Sequence, residues 1–202
     1  MPGPITHLKA ANIFLDGSIK EPSAFYLGSI SPDSVNINGH AEKEKRWPAH
    51  LREKDLDAWL DRVKLFWNEN KDTKEDQSFL KGYLLHIITD IVWDMYFERE
   101  LFTLFTAGNV APEQRKAMRW CELYGYEKLQ LELPWFKCEV LPLLAAAKPE
   151  TVGTLDANEV VIWQQRIVSG ELEQGRFPLF LDDSFMNRFL DKVCSITKEI
   201  LV

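Results

Sequence analysis

The stretch SFLKGYLLHIITDIVWDMYFERELF, Ser78 to Phe102, decides the fold class. Leu80, Leu84, Ile87, Ile88 and Ile91 recur at helical spacing and cover one face, while Phe79, Gly82, Trp93 and Phe97 fall on the opposite side. A helix that is apolar almost all round is buried by its neighbours, so this segment is expected at the centre of a helical protein. His86 and Asp90 stand one turn apart on one face, and Asp90 is the sole charge between Lys81 and Asp94. A carboxylate in such a core is costly unless it is hydrogen-bonded, paired or bound to a metal. Asp90 therefore requires a partner: His86 itself, an arginine from elsewhere, or a metal ion. Spacing leaves the three open.

The same periodicity extends outward. Leu56, Trp59, Leu60, Val63, Phe66 and Trp67 form one amphipathic helix, and Phe185, Phe189, Leu190, Val193, Ile196 and Ile200 another. Further helices are expected near residues 5–16, 22–30, 76–105, 112–124, 134–146 and 156–169. Asp16-Gly17 ends the first, Pro112, Pro134 and Pro142 mark starts or bends, and Asp182 and Asp183 suit the start of the last. Residues 31–48, with Asn36, Asn38 and Gly39, read as a long loop. No stretch keeps strand alternation. With no repeat and no linker, residues 1–202 are expected to form a single all-α domain.

Composition narrows the function. Lys and Arg number 24 against 31 Asp and Glu, a net charge of −7, with no basic block of the kind a nucleic-acid backbone binder needs. No apolar run approaches the roughly 20 residues needed to cross a bilayer. The opening MPGPITHLKAANIF lacks a basic stretch followed by an unbroken apolar one, so a cytoplasmic location is expected. Cys121, Cys138 and Cys194 form no CxxC pair and are expected as reduced core thiols. GxSxG, GxxxxGK[ST], GxGxxG, HExxH and an adjacent HD pair are all missing, which removes support for serine hydrolase, P-loop, dinucleotide, zincin and HD-type phosphohydrolase chemistry.

Of the four histidines, His7, His40, His50 and His86, three lie in a set of segments that reads in order PITH, FYLGSISPDSV, RWPAHLRE and GYLLHIITDIVWD. This ordered set resembles the bacterial zinc-dependent phospholipase C family, related more distantly to the zinc-dependent single-strand nucleases, over about residues 1–106. The resemblance implies an all-α, multi-helix bundle holding metal between its helices. At matching positions it implies His7, Asp33, His50, His86 and Asp90 as ligands, with Asp90 able to bridge two ions and Asp33 as the catalytic group that orients water or takes its proton. The mixed nitrogen and oxygen donors suit Zn2+, and also Fe2+ or Mn2+.

The pattern also departs from the family. Position 96 is Tyr96 where a further histidine is needed, and no histidine follows His86, which leaves a reduced site of one or two ions. The expectation is a metal-dependent hydrolase of a small-molecule or lipid phosphoester, phospholipase C-like. The alternative is a metal-stabilised or metal-free helical binding protein that kept the fold and lost turnover. Each residue also has a bland role: His7 as a helix packer, Asp33 as a turn residue, His50 and His40 as surface histidines. Asp94 and Glu98 read as solvated helix-end carboxylates or as substitute oxygen ligands. Trp47, Trp93, Phe97 and Phe102 read as core, or as walls of a pocket.

Overall fold

A computed structural model describes residues 2–172 and 175–201. Ten α-helices follow one another among these residues, without a strand: α1 (Pro4–Phe14), α2 (Pro22–Gly28), α3 (Lys43–Ala49), α4 (Leu56–Asn70), α5 (Ser78–Val92), α6 (Glu98–Ala107), α7 (Arg115–Leu131), α8 (Leu141–Ala146), α9 (Ala157–Ser169) and α10 (Asp183–Leu201). The fold is all-α, as the periodicity requires. No helix among the described residues is long and apolar enough to cross a membrane.

Every residue of α5 except Lys81 is buried, and α1, α2, α4 and α10 pack around it. The crossing with α2 is the tightest. A Cβ on Gly82 would overlap the Phe25 carbonyl oxygen, and a Cβ on Gly28 would overlap that of Phe79, so glycine on both helices lets the backbones touch. Past Val92 the helix widens into a single π-type turn, Trp93–Phe97, before continuing as α6. The expected 76–105 helix is thus two α-helices joined by a bulge. Trp93 and Phe97 both pack on Phe185 and Phe189 of α10, and Phe102 on Phe105, so these three aromatics belong to the core.

The expected loop 31–48 is a correction. A 3₁₀ helix spans Ser31–Asn36, and α3 begins at Lys43. Pro32 sits in the first turn of the former, where its missing N–H costs nothing, and Pro48 lies one residue from the end of the latter. Other boundaries follow local signals: Asp55 and Asp182 accept backbone N–H bonds from Ala58 and Phe185, capping α4 and α10. Buried Glu122 on α7 accepts the N–H groups of Leu179, Phe180 and Leu181, which ties down the segment leading into α10. The cysteines are free, but only Cys194 is buried; Cys138 is exposed, contrary to the expected core position.

Candidate metal centre

Four helical segments converge on one polar cluster inside the apolar core. His7 comes from α1, Asp33 from the 3₁₀ helix, His50 from the end of α3, and His86 and Asp90 from α5. His7, His50, His86 and Asp90 are buried, while the side chain of Asp33 keeps 17% of its surface exposed. Their ligand atoms fall into two groups that share His86: His7, His86 and Asp90, and Asp33, His50 and His86. Within each group these atoms lie within 4.8 Å of one another. All five residues picked out from the sequence are therefore neighbours in space.

Asp90 is the hub. Its Oδ1 is 3.6 Å from His7 Nε2, and its Oδ2 is 3.7 Å from His86 Nε2 and 3.9 Å from His50 Nε2. His50 Nε2 is also 3.4 Å from Asp33 Oδ1. These separations are too long for hydrogen bonds. They are close to the roughly 3.3 Å edge that four ligands at about 2.0–2.1 Å impose around a tetrahedral ion. The polar atoms agree: His7 Nδ1 and Nε2, His50 Nε2, His86 Nε2 and both oxygens of Asp90 are buried with no hydrogen-bond partner. Six orphaned polar atoms in one buried cluster would be expensive in a metal-free core, so the donor set fits a divalent cation.

The surrounding backbone fixes which nitrogen faces the cluster. His86 Nδ1 is 2.8 Å from the Ser29 carbonyl, and His50 Nδ1 is 2.9 Å from the Arg46 carbonyl. A carbonyl only accepts, so each Nδ1 carries the proton and each Nε2 keeps a lone pair for a metal. Ser29 directly follows Gly28, so the close α2–α5 crossing delivers this acceptor to His86. The end of α3 is held by the Trp59 indole, which donates to the His50 carbonyl at 2.8 Å, and by the Tyr83 hydroxyl, which donates to Ala49 at 2.9 Å. Leu51 takes a left-handed conformation with φ 49°, and Arg52 N–H closes back on the Trp47 carbonyl at 2.8 Å. This helix ending ordinarily uses glycine, and the surrounding bonds hold leucine in it.

Electrostatics of the metal-free cluster follow from burial. It pushes the Asp90 carboxyl up to about 8, and lowers His86 to about 4 and His7 well below the ordinary imidazole range. Burial also disfavours the charged forms of His50 and Asp33. There their mutual contact wins, raising His50 and holding Asp33 well below the usual carboxylate range. Two imidazoles that stay neutral and a carboxylate that resists ionising without a cation describe a site that a metal would complete.

Other candidates lie outside the cluster. Asp94 pairs with Arg52 at 2.8 Å and Glu98 pairs with Arg119, so neither is the substitute ligand weighed above. His40 is exposed, its Nδ1 3.1 Å from Arg46 Nη1. Trp47 does line a pocket: a cavity of about 440 Å³ onto which His50 opens. Asp33 opens onto another of about 330 Å³, and Arg46, His40 and Trp120 border both.

Sequence reasoning missed Glu127 of α7. It is buried, and its Oε1 accepts both the backbone N–H (2.9 Å) and the hydroxyl (2.7 Å) of Thr6, the residue before His7. Gly3 leaves the room for this carboxylate. Burial raises Glu127 to about 7, against the pull of its hydrogen bonds from Thr6, Gly3 and Ile5. An acidic residue capping the start of α1 is favourable to the helix dipole and anchors the helix that carries His7.

No curated protein and no solved structure matches the chain. A family model described as zinc dependent phospholipase C matches residues 4–123, more than half of the chain and all of the cluster. The fold, the buried donor set and this match together make the chain a member of the zinc-dependent phospholipase C family.

Proposed function

We propose that the protein is a metal-dependent hydrolase of a phosphoester, with zinc as the expected ion and His7, His50, His86 and Asp90 as its ligands. The observation that carries this reading is the set of buried, orphaned donor atoms in these four residues, within the stretch matched by the zinc-dependent family. A bound zinc ion supplies Lewis acidity toward phosphoryl oxygens and lowers the pKa of a coordinated water. Asp90 presents its two oxygens to different histidines and so can serve one ion or bridge two. His86 and His50 offer Nε2 in a fixed orientation, because their Nδ1 protons are engaged by backbone carbonyls. Asp33 stays ionised at neutral pH and is the carboxylate of the cluster that borders a cavity. It is suited to accept a hydrogen bond from an attacking water and aim it at phosphorus. A carboxylate held so low is a weak base, so orientation is its main contribution.

The test is elemental analysis of the purified protein, followed by hydrolysis of bis(4-nitrophenyl) phosphate with and without chelator. Stoichiometric zinc and chelator-sensitive turnover are expected; protein that takes up no divalent metal at micromolar concentration would overturn the reading. The second reading, a metal-stabilised binding protein without turnover, draws on the short ligand set. Asp94 and Glu98 are committed to Arg52 and Arg119 and add nothing to it. Metal content without phosphodiester turnover would favour it.

A further inference from the structure

The chain is acidic, with a net charge of −7, yet the cavity beside the cluster is lined by two arginines. Asp33 stands at one part of its lining, and the rest includes Arg46, Trp120 and Tyr124 of α7, and Trp163 and Arg166 of α9. Among the described residues neither Arg46 nor Arg166 is paired with a carboxylate. The nearest polar contact of the Arg46 guanidinium is His40 Nδ1 at 3.1 Å, where the ring can only accept. Both arginines are half-buried rather than spread into solvent. Two carboxylates other than Asp33 share the lining. Glu127 is engaged by Thr6, and Glu171 is exposed and accepts the Ser169 hydroxyl at 3.1 Å.

A second, independent observation points to a ligand. The indole N–H of Trp163 is buried and has no acceptor. It is a donor of the kind that an anionic oxygen would satisfy. Trp120 and Tyr124 stack at 5.5 Å and 19° from parallel, and both residues line the cavity. Two guanidiniums without a carboxylate partner among the described residues, from segments 120 residues apart, line one space of about 330 Å³ together with Trp163, Trp120 and Tyr124. Arginines kept only for solubility have no reason to share a concave surface with the orphaned donor.

We infer that this cavity is the substrate-recognition pocket and takes an anionic group joined to a flat ring, the anion held by Arg46, Arg166 and the Trp163 indole, the ring lying on Trp120 and Tyr124. The substrate is then a phosphoester whose non-reacting part is acidic and ring-bearing. A cationic headgroup would be repelled by both arginines. The inference rests on the hydrolase reading only in taking the Asp33 end of the cavity as the reacting end.

The experiment is calorimetric titration of the purified protein with naphthalene-2-sulfonate and with (2-naphthyl)trimethylammonium, which present one ring with opposite charges and no phosphoryl group. The sulfonate is expected to bind about tenfold or more tightly than the cation. Arg166→Gln and Arg46→Gln should each weaken the sulfonate by about tenfold, while Arg166→Lys, which keeps the charge, retains most of the affinity. Metal content measured on the same samples should not change with Arg166→Gln. Equal affinity for the two probes, no binding of either, or indifference to Arg166→Gln would overturn the inference and leave the metal reading standing. Selective sulfonate binding by protein that holds no metal would sustain the pocket and overturn the hydrolase.

Discussion

The imidazole rings of His7 and His86 lie stacked, centroids 3.7 Å apart and 13° from parallel. Residues 79 positions apart in the chain thus hold ring nitrogens against the same carboxylate, Asp90, from which each Nε2 is 3.6–3.7 Å distant. Two cations could not stack this way in a buried site, so the contact itself selects neutral rings. Neutral rings are what a metal requires.

Asp90→Asn and Asp33→Asn should separate ligand from water-orienting group. Asp90→Asn removes the charge at the hub, so zinc content measured by elemental analysis should fall, and the metal-dependent part of the Tm with it. A ligand held at 100 times its Kd contributes about 2.7 kcal/mol, so that much stability is at stake. Asp33→Asn should retain most of the zinc and lose on the order of 100-fold in phosphodiester turnover. Equal loss of zinc in both variants would make Asp33 a ligand first.

Glu127 makes stability pH-dependent. Its carboxyl rises from an ordinary 4.5 to about 7 on folding, so the folded state favours the protonated form. Its contribution is fully present below about pH 4.5 and fades as pH climbs through 7. Glu127→Gln should be near neutral at pH 4.5 and stabilising by about 1–3 kcal/mol at pH 8, read by denaturant titration. A variant less stable than wild type at pH 8 would show that the ionised carboxylate is the better cap.

Gly82→Ala should cost on the order of 2–4 kcal/mol, because the new methyl meets the Phe25 carbonyl backbone rather than a movable side chain. The same displacement draws the Ser29 carbonyl away from His86, so zinc affinity should drop along with Tm. Full zinc affinity in the variant would mean that the helix crossing and the His86 tautomer are independent.

Trp59→Phe deletes the donor to the His50 carbonyl while keeping an aromatic in the core. The buried carbonyl is left short of a partner, at about 1–3 kcal/mol. Zinc affinity should weaken by roughly 10-fold, in line with loss of an outer-shell support. Unchanged zinc binding would assign Trp59 to packing alone.

The parts of the molecule legible in sequence are those whose signal is local. The apolar spacing of Leu80 to Ile91 suffices to make α5 a buried helix, and a lone Asp90 one turn from His86 marks a site before any contact is known. Convergence of His7, Asp33 and His50 on that pair required a family resemblance, because nothing along the chain states which helices touch. Residues 31–48 misread as loop because Pro32, Asn36 and Gly39 are turn formers; a 3₁₀ helix uses the same residues. Glu127 carried no signal at all. It is one of two carboxylates on an amphipathic helix, and only Gly3, more than a hundred residues away, leaves the room that buries it. Arg166 is hidden for the same reason: its partner surface lies on other helices.

The glycine contact between α2 and α5 has a thermodynamic reach beyond packing. Backbones in van der Waals contact cannot slide, so the Ser29 carbonyl and the His86 ring are fixed relative to each other before any ion arrives. The loss of freedom needed to gather the ligands has already occurred during folding, and ion capture should proceed with little rearrangement of the chain. Empty and loaded protein should then share one backbone, and the entropy of binding should be dominated by water leaving the ion.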